Sequence, residues 1–444
     1  MAMLKCTSLE DIPKIHETAR RAFNSGKTQS LEFRKQQIAQ LAWLIKDHED
    51  DWREALRADL GRHPQETDLL EFTGVYAEVT TAYKNIEKWA KPQSVDFSLN
   101  WFAMRPKLQT EPKGVVLIIA PFNLPLFLLL GPLTSAIAAG NAAVLKPSEQ
   151  IPATSQLLAE LLPKYLDNEL YHVINGGVPE TTKVCLSPEY VLVPADFQDT
   201  LVEALKEAYK SFYPDGPEKS DSFARMVSPA HAARIKRLID ETKGTIVLGG
   251  QTDVENRYIA PTVVRDVPVD DALMSEEIFG PVLPIVPVKD VDEAISIIQA
   301  RDHPLAVYVF STDKKFQEKV FKNTKSGSAI ANDSIIHGGV PGLPVGGVGA
   351  SGYGYYSSKQ CFEDFSHYRT TMDNPSWVDT IAFGFRFPPY KPDYLKKLNA
   401  LTGALPPRAG QKAAKRWGLW IVLALVGASA SLLIKSGRFA QLKA

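Results

Sequence analysis

Cys185, in the stretch Val184-Cys185-Leu186-Ser187-Pro188-Glu189-Tyr190, is the side chain of this sequence best suited to act as a nucleophile. A thiolate attacks a carbonyl carbon and holds the acyl group as a thioester, which is nucleophilic catalysis. A lone cysteine is more often a small buried hydrophobe, but the surrounding residues favour the catalytic interpretation. The glycine turn Ile174-Asn175-Gly176-Gly177 ends only eight residues earlier, so the candidate nucleophile follows a strand-like segment unusually soon.

The first half of the chain alternates apolar runs with helical patterns. Val115–Ile119 is a continuous apolar run, as in a parallel strand that is covered on both faces. Residues 142–145 repeat that pattern, and residues 171–174 form a third short strand. A helical stretch precedes the second strand and another, at residues 153–165, precedes the third. This βαβαβ order predicts a doubly wound α/β sheet, which binds ligands at the carboxyl ends of its strands.

The second half predicts another α/β body. One helix face is marked by apolar residues three or four apart, namely Phe197, Leu201, Leu205, Ala208 and Phe212. Ser228-Pro229 indicates a helix start, with serine as the cap and proline at the first position. Strands are expected at residues 245–248, 305–310 and 328–330.

Composition limits the class of protein. The 444 residues carry 50 basic and 51 acidic side chains, and this net charge of −1 argues against nucleic-acid binding. The three cysteines are too few and too scattered for a disulfide framework, which suits a reducing compartment. The N-terminus has no apolar core of a secretory signal. We predict no bound metal.

The C-terminal region contains a candidate membrane span. Trp417–Ile434 runs for eighteen residues without a charge. A helix of that length spans about 27 Å, close to the hydrocarbon thickness of a bilayer. Lys and Arg residues flank it on both sides, and the alternative is a buried helix of a soluble domain. We therefore expect a tail-anchored protein with a cytosolic body, in the endoplasmic reticulum or outer mitochondrial membrane.

A series of motifs gives the chain a family likeness. In order they are Glu111-Pro112-x-Gly114-Val115-Val116, Pro121-Phe122-Asn123-Leu124-Pro125, Leu145-Lys146-Pro147-Ser148-Glu149, Asn175-Gly176-Gly177, Cys185, Glu276-Glu277-Ile278-Phe279-Gly280-Pro281 and Pro344-Val345-Gly346-Gly347-Val348-Gly349. This order resembles the aldehyde dehydrogenase superfamily, and most of all its class 3, fatty aldehyde dehydrogenase branch. Some members of that branch end in a membrane helix.

The resemblance implies a reaction and a set of site residues. Cys185 would attack the aldehyde, and the Asn123 side-chain amide with the Cys185 backbone N–H would stabilise the oxyanion. Hydride transfer to nicotinamide leaves a thioester, which water hydrolyses with the help of a general base. Without the resemblance, Asn123 would be interpreted as a turn residue.

The resemblance also assigns the cofactor contacts. Lys146 would hold the adenine ribose with Glu149 as its partner, Glu277 would hold the nicotinamide ribose, and Phe279 would lie near the ring. NAD is expected, with NADP as the alternative. Taken alone, residues 146–149 would be an ordinary charged first turn of a helix, and Glu276-Glu277 a solvated acidic pair. The glycine-rich residues 338–349 are expected to form a close-packed wall of the site, with Asn332 bordering the same cavity.

One family segment is missing. The Gly-Ser-x-x-x-Gly turn that faces the pyrophosphate and the Glu-Leu-Gly-Gly segment that supplies the base should precede the cysteine, yet Lys183 is followed at once by Val184. The gap should hold roughly two strand–helix units, on the order of 60 to 70 residues. The upstream sheet should therefore end early, after residues 171–174. Glu189 is a weak candidate for a substitute base, because geometry must come before pKa.

These inferences combine into one architecture with three interpretations. The expected parts are a truncated, Rossmann-type NAD-binding domain (1–183), a catalytic domain (184–370), an arm and linker (371–416) and a transmembrane helix (417–434). The first interpretation is an NAD-linked, membrane-anchored dehydrogenase of fatty aldehydes, expected to be a homodimer. The second is an impaired isoform, pseudoenzyme or incomplete gene model. The third is an unrelated thiol hydrolase pairing Cys185 with a histidine, His172 or His231.

Overall fold

The structure is a computed structural model that describes residues 4–98, 101–176, 186–340 and 342–394. Its helices are α1 (Asp11–Asn24), α2 (Leu31–Lys46), α3 (Glu49–Leu60), α4 (Pro64–Thr67), α5 (Thr73–Trp89), α6 (Phe127–Ala139), α7 (Pro152–Tyr165), α8 (Gln198–Phe212), α9 (Pro229–Glu241), α10 (Val291–Gln299), α11 (Lys314–Asn323), α12 (Ser358–Asp364) and α13 (Ser376–Val378). Its strands are β1 (Gln93–Ser94), β2 (Lys107–Pro112), β3 (Val115–Ile119), β4 (Ala142–Lys146), β5 (Tyr171–Val173), β6 (Val191–Pro194), β7 (Thr245–Leu248), β8 (Thr252–Asp253), β9 (Tyr258–Ile259), β10 (Thr262–Arg265), β11 (Val282–Val288), β12 (Ala306–Val309), β13 (Ser328–Ala331) and β14 (Ser366–Thr371).

The upstream sheet is parallel and has the order β3-β4-β5. Helix α6 connects β3 to β4, and α7 connects β4 to β5, which gives the predicted βαβαβ unit. Nearly every residue of α6 is buried, because its sequence FLLLGPLTSAIAA is apolar on all sides. Within the described residues no strand is added to this sheet beyond β5, in agreement with the prediction that it ends early.

One face of β3 is not covered, so the prediction of a strand buried on both faces is wrong. Ile118 is buried, but Leu117 and Ile119 on the opposite face are 57% and 47% exposed. All five residues of β4 are buried, and α1 packs against that strand. The apolar run identified a strand correctly, but the elements needed to cover its second face are not among the described residues.

The downstream body contains a four-stranded sheet, β6-β11-β10-β7, and a separate parallel pair, β12-β13. Strands β6, β11 and β10 run parallel, and β7 is antiparallel to β10. The expected apolar face of α8 is only partly buried, since Phe197 and Phe212 are exposed while the neighbouring Val202 is buried. That helix therefore presents part of its apolar surface to solvent.

Two helix boundaries have well-defined capping geometry, and the second confirms the helix start predicted at Ser228-Pro229. Helix α3 ends at Gly61, which adopts a left-handed conformation with φ of 66°. Helix α9 begins with Pro229, and the Ser228 hydroxyl accepts a hydrogen bond from the His231 backbone N–H. Both boundaries lie next to residues of the candidate site.

The described residues form two compact units. The first holds residues up to 95 and 107–371, including the antiparallel sheet β1-β2-β14. The second combines residues 96–106 with the chain from 372, and Met104, Val378, Phe383 and Phe385 form its small core. No helix among the described residues has the length and apolar character to cross a membrane. The predicted span Trp417–Ile434 lies outside those residues.

Candidate active site

Asn123 lies in the loop between β3 and α6, at the carboxyl end of β3. Its backbone carbonyl accepts a hydrogen bond from the guanidinium of Arg62. The preceding residue, Phe122, meets the ring of Phe279 edge-on at 5.6 Å between centroids and the ring of His231 at 5.7 Å. The Asn123 loop is thereby placed against the segment that carries Glu277 and Phe279.

Lys146 is the last residue of β4 and is buried. Its ammonium donates to Glu149 Oε2 at 2.8 Å and to the carbonyl of Pro147 at 2.9 Å. In the parallel register Lys146 pairs with Ile119, so it sits beside the strand that leads into Asn123. The Lys146–Glu149 pair is thus fixed at the edge where a doubly wound sheet binds its ligand.

The segment Glu277–Phe279 is held by hydrogen bonds to its backbone. Arg234 donates to the carbonyls of Glu277 at 3.1 Å and Ile278 at 2.5 Å, while Glu189 Oε1 accepts from the Ile278 N–H at 2.5 Å. Phe279 adopts φ of 51°, a left-handed conformation that is unfavourable for a bulky side chain. Such strain is maintained where the surroundings fix it, as at many functional sites.

The two glutamates of this segment have different surroundings. Glu276 is exposed and pairs with Arg237 at 2.8 Å, as expected of a solvated acidic residue. Glu277 is half-buried. Only Glu276 therefore matches the interpretation of a surface acidic pair.

The other acid–base candidates have structural contacts. Glu189 is the acceptor for Ile278, which makes it a support for the Glu277 segment. His172 Nε2 lies 3.1 Å from the carbonyl of Glu169, and His231 Nδ1 lies 2.9 Å from the Ser228 hydroxyl. Burial and then the nearby Arg234 charge lower the pKa of His231, so its imidazole is neutral at pH 7.

The glycine-rich stretch is close-packed only in part, since Gly346 and Gly347 have close neighbours whereas a Cβ on Gly339 or Gly342 would meet nothing within 4 Å. A Cβ atom on Gly327 would lie 1.8 Å from the Gly346 carbonyl, and one on Gly347 would lie 1.9 Å from the Ser351 carbonyl. Only glycine fits at such approaches. Asn332 is exposed, and its side-chain oxygen accepts from the Ser311 N–H.

Sequence reasoning missed several residues that surround the site. The Arg62–Glu71 pair is one, and Tyr308 with His337 is another. The Tyr308 hydroxyl donates to the carbonyl of Leu186 at 2.5 Å, and its ring lies 6.0 Å from that of His337. His337 is buried, and neither ring nitrogen has a hydrogen-bond partner among the described residues. No local sequence signal marks these residues, because their contacts join distant parts of the chain.

Through Phe122 the structure therefore sets the Asn123 loop against the segment that carries Glu277 and Phe279, and it places Lys146 at the end of the adjoining strand, paired with Glu149. Cys185 lies outside the described residues. The residue after it, Leu186, is described and contacts Tyr308.

The arrangement matches a known family. A model of the aldehyde dehydrogenase family matches residues 1–183 and, in a second part, residues 166–371. This chain belongs to the aldehyde dehydrogenase family. It is an oxidoreductase of the class that oxidises aldehydes to carboxylic acids with NAD or NADP.

Individual relatives agree with the class 3 assignment. The dog protein named aldehyde dehydrogenase, dimeric NADP-preferring, is 36% identical over 86% of this chain and 98% of its own length. Rat aldehyde dehydrogenase family 3 member A2 is 36% identical over 80% of this chain and 86% of its own. The substrate-bound AldH of Staphylococcus aureus superposes with a TM-score of 0.82 at 31% identity, covering 88% of this chain and 99% of that one.

The same comparisons measure the predicted gap. The alignment with the dog relative has 448 positions. It includes 86% of the 444 residues of this chain, which is about 382 residues. About 66 aligned positions of the relative therefore have no counterpart in this chain. The beta-apo-4'-carotenal oxygenase of Neurospora crassa, aligned over 498 positions and 96% of this chain, leaves about 72 unmatched in the same way. The family match comes in two parts that overlap at residues 166–183, and the first part ends at the Lys183–Val184 junction.

Proposed function

We propose that this chain descends from a membrane-anchored dehydrogenase of fatty aldehydes and has kept the machinery for thiol attack while losing the machinery for turnover. Cys185 acts as the nucleophile, and the Asn123 amide stabilises the oxyanion. The observation that carries this proposal is the contact of Phe122 with Phe279, which sets the Asn123 loop against the Glu277 segment.

The residues present fit part of a nicotinamide dinucleotide. Lys146 and Glu149 would hold the adenine ribose, because the buried ammonium and the half-buried carboxylate present a donor and an acceptor at the sheet edge. Glu277 and Phe279 would hold the nicotinamide end. When bound, the cofactor accepts the hydride of the oxidation. No Gly-Ser-x-x-x-Gly turn follows β5 in the sequence, so one contact to the pyrophosphate is lost.

The protein's own part of the reaction begins with the thiolate. The Cys185 sulfur bonds to the aldehyde carbon, and the carbonyl oxygen takes the electron pair and becomes the oxyanion. Asn123 donates to that oxygen. Release of the acid then requires a base that removes a proton from water, and the segment that supplies it in the family is missing here. Glu189 supports Ile278 by accepting its backbone N–H, which argues against its use as that base.

The remaining parts of the proposal concern organisation and location. We assign residues 1–183 to the NAD-binding part and 184–370 to the catalytic part, followed by an arm and linker. Trp417–Ile434 would anchor the chain to a bilayer of the endoplasmic reticulum or outer mitochondria, with the body in the cytosol. A homodimer is supported by the relative that is named as dimeric.

The membrane proposal is tested by fractionation. The full chain should pellet with membranes and resist carbonate, and deletion of residues 411–444 should release it. A full-length protein that stays in the soluble fraction would exclude the anchor.

The catalytic proposal is tested by mixing purified protein with NAD and a long-chain aldehyde, then digesting it for mass spectrometry. An acyl group on Cys185 that persists for minutes is expected, and it should be absent in Asn123→Ala and Cys185→Ser. Acylation of Cys6 or Cys361 instead would contradict the assignment of the nucleophile.

A further inference from the structure

Glu71 is fully buried in a helical segment with π-type hydrogen bonding, Asp68–Phe72, between α4 and α5. A π-turn shifts the side chains that follow it relative to a regular helix, and such turns are frequent at functional sites. Here the turn directs a carboxylate into the interior of the first unit. A fully buried carboxylate requires partners that offset its desolvation.

The carboxylate of Glu71 binds the start of α6. Its Oε2 accepts hydrogen bonds from the backbone N–H groups of Leu126 at 3.0 Å and Phe127 at 2.8 Å. These N–H groups have no partner within the helix, since they belong to its first turn. Glu71 therefore fixes the position at which α6 begins, directly after the Asn123 loop.

The second oxygen of Glu71 binds Arg62 at 2.6 Å, and both side chains are buried. A further N–H of the same guanidinium donates to the backbone carbonyl of Asn123. Arg62 follows Gly61, which ends α3, and the carbonyl of Leu60 accepts from the Arg225 N–H at 3.0 Å. Glu71 thus holds the guanidinium, Arg225 holds the backbone just before Arg62, and the guanidinium in turn binds the Asn123 carbonyl.

The contacts restrain both ends of the segment 123–127. Arg62 fixes the carbonyl of Asn123, and Glu71 fixes the N–H groups three and four residues later. A donor that stabilises an oxyanion must be aimed before the reaction, because reorientation during the reaction costs rate. From this geometry we infer that Arg62 and Glu71 are positioning residues that set the direction of the Asn123 amide.

Energetics favour this role over a purely stabilising one. Burial is the largest influence on Glu71 and raises its pKa, while the Arg62 charge and the two backbone N–H groups act in the opposite direction. Replacing a buried ion pair by well-packed apolar residues is often neutral or stabilising. A planar guanidinium that binds a carboxylate and a carbonyl at once supplies orientation, which an apolar pair cannot.

The inference rests on the proposed role of Asn123, and its test compares two reactions of Cys185 in the full chain. With p-nitrophenyl acetate, the thiolate bonds to the carbonyl carbon, an oxyanion forms, and p-nitrophenolate leaves. With iodoacetamide, the thiolate displaces iodide and no oxyanion forms. The ratio of the two rates, read at the Cys185 peptide by mass spectrometry, therefore reports the oxyanion donor alone. Burial raises the pKa of Cys361 to about 12, so that thiol reacts slowly.

We expect Asn123→Ala to lower the ratio by about 100- to 1,000-fold. Arg62→Ala and Glu71→Gln should lower it by about tenfold or more, because misplacement by about 1 Å can cost a hundredfold. Arg62→Lys should recover part of the loss. The matched control is Arg53→Ala, which removes an arginine of α3 that pairs with another residue of the same π-turn, Asp68, at 2.8 Å. That variant should keep the ratio of the unaltered chain.

The outcomes separate the two proposals. A lowered ratio in Arg62→Ala and Glu71→Gln with an unchanged one in Arg53→Ala supports the inference. If the ratio is unchanged in Arg62→Ala and Glu71→Gln but lowered in Asn123→Ala, the inference is overturned and the role of Asn123 stays intact. An unchanged ratio in Asn123→Ala overturns both. If Arg62→Ala fails to fold, Glu71→Gln and Arg62→Lys decide the question by the same ratio.

Discussion

The upstream and downstream sheets are built from similar apolar strands but are buried to different extents. In the downstream sheet, Val264 of β10 and Ile285 of β11 are fully buried. In the upstream sheet, β4 is buried throughout, whereas Leu117 and Ile119 of β3 are about half-exposed. Within the part of the chain that the structure describes, strand β3 pairs on one side only, with β4.

The difference shows that a strand's own sequence does not determine whether it is covered. The run Val115–Ile119 is typical of a strand buried on both faces, and it would be buried if other elements packed on its second face. About 66 positions of the dog relative have no counterpart in this chain. We interpret the exposed face of β3 as the surface on which the missing positions would pack. The loss of structure would then affect the upstream sheet and leave the downstream sheet unchanged.

The largest effect is expected when the missing segment is restored. The chain as it stands should produce little or no steady NADH from long-chain aldehydes, because base and pyrophosphate turn are both missing. Inserting the corresponding family segment before Val184 should raise the rate by about a hundred- to ten-thousandfold, the usual contribution of a positioned acid–base group. NADH absorbance at saturating NAD measures the effect.

In the restored chain, Cys185→Ala should abolish the increase in NADH production. Ordinary dehydrogenase turnover by the unaltered 444-residue chain would contradict the comparison, since another residue would then be acting as the base.

A second test compares the cores of the two sheets. Ile285→Ala should destabilise the protein by about 2 to 5 kcal/mol, because it opens a cavity in a packed core. Leu117→Ala should change the free energy of unfolding by roughly 0.5 kcal/mol or less, as expected of an exposed position. Urea unfolding followed by circular dichroism gives both values. Equal losses would mean that the face of β3 is covered in solution.

Local signals predicted much of the fold, while the roles of the site residues stay predictions. Strands β3, β4 and β5 and helix α7 lie within one residue of their predicted bounds, since apolar runs and proline starts are local features. The Arg62–Glu71 pair was not predictable, because its contact with Asn123 joins residues 61 positions apart and two charges alone indicate solvent exposure. The exposure of Phe212 at the end of α8, and of Phe197 just before it, was missed for a similar reason, since periodicity predicts an apolar face but not its partner.

A third test asks whether the carboxyl end of β4 still binds NAD, although one face of the neighbouring strand β3 is exposed. Lys146→Ala should weaken NAD binding by about tenfold, equivalent to one charge-assisted hydrogen bond. Lys206→Ala is the matched control, because Lys206 also pairs with a glutamate three residues away at 2.9 Å but on the exposed surface of α8. Isothermal titration should find unchanged affinity in the control. Equal affinities in both variants would remove Lys146 from the cofactor site.

The smallest effect is expected from making the exposed face of β3 polar. Leu117→Thr with Ile119→Thr places β-branched side chains, which suit a strand, at both positions and removes apolar surface from solvent. In the present chain the change should reduce binding of a hydrophobic dye and self-association, and shift the free energy of unfolding by less than about 1 kcal/mol. In the restored chain the same change should cost more, about 2 kcal/mol or above, because two hydroxyls would then be buried. Val264→Thr should destabilise both chains equally, since Val264 is fully buried and lies in the other sheet. If the double variant were equally harmless in the restored chain, the missing segment would not be the cover of β3, and the difference between the two sheets would need another cause.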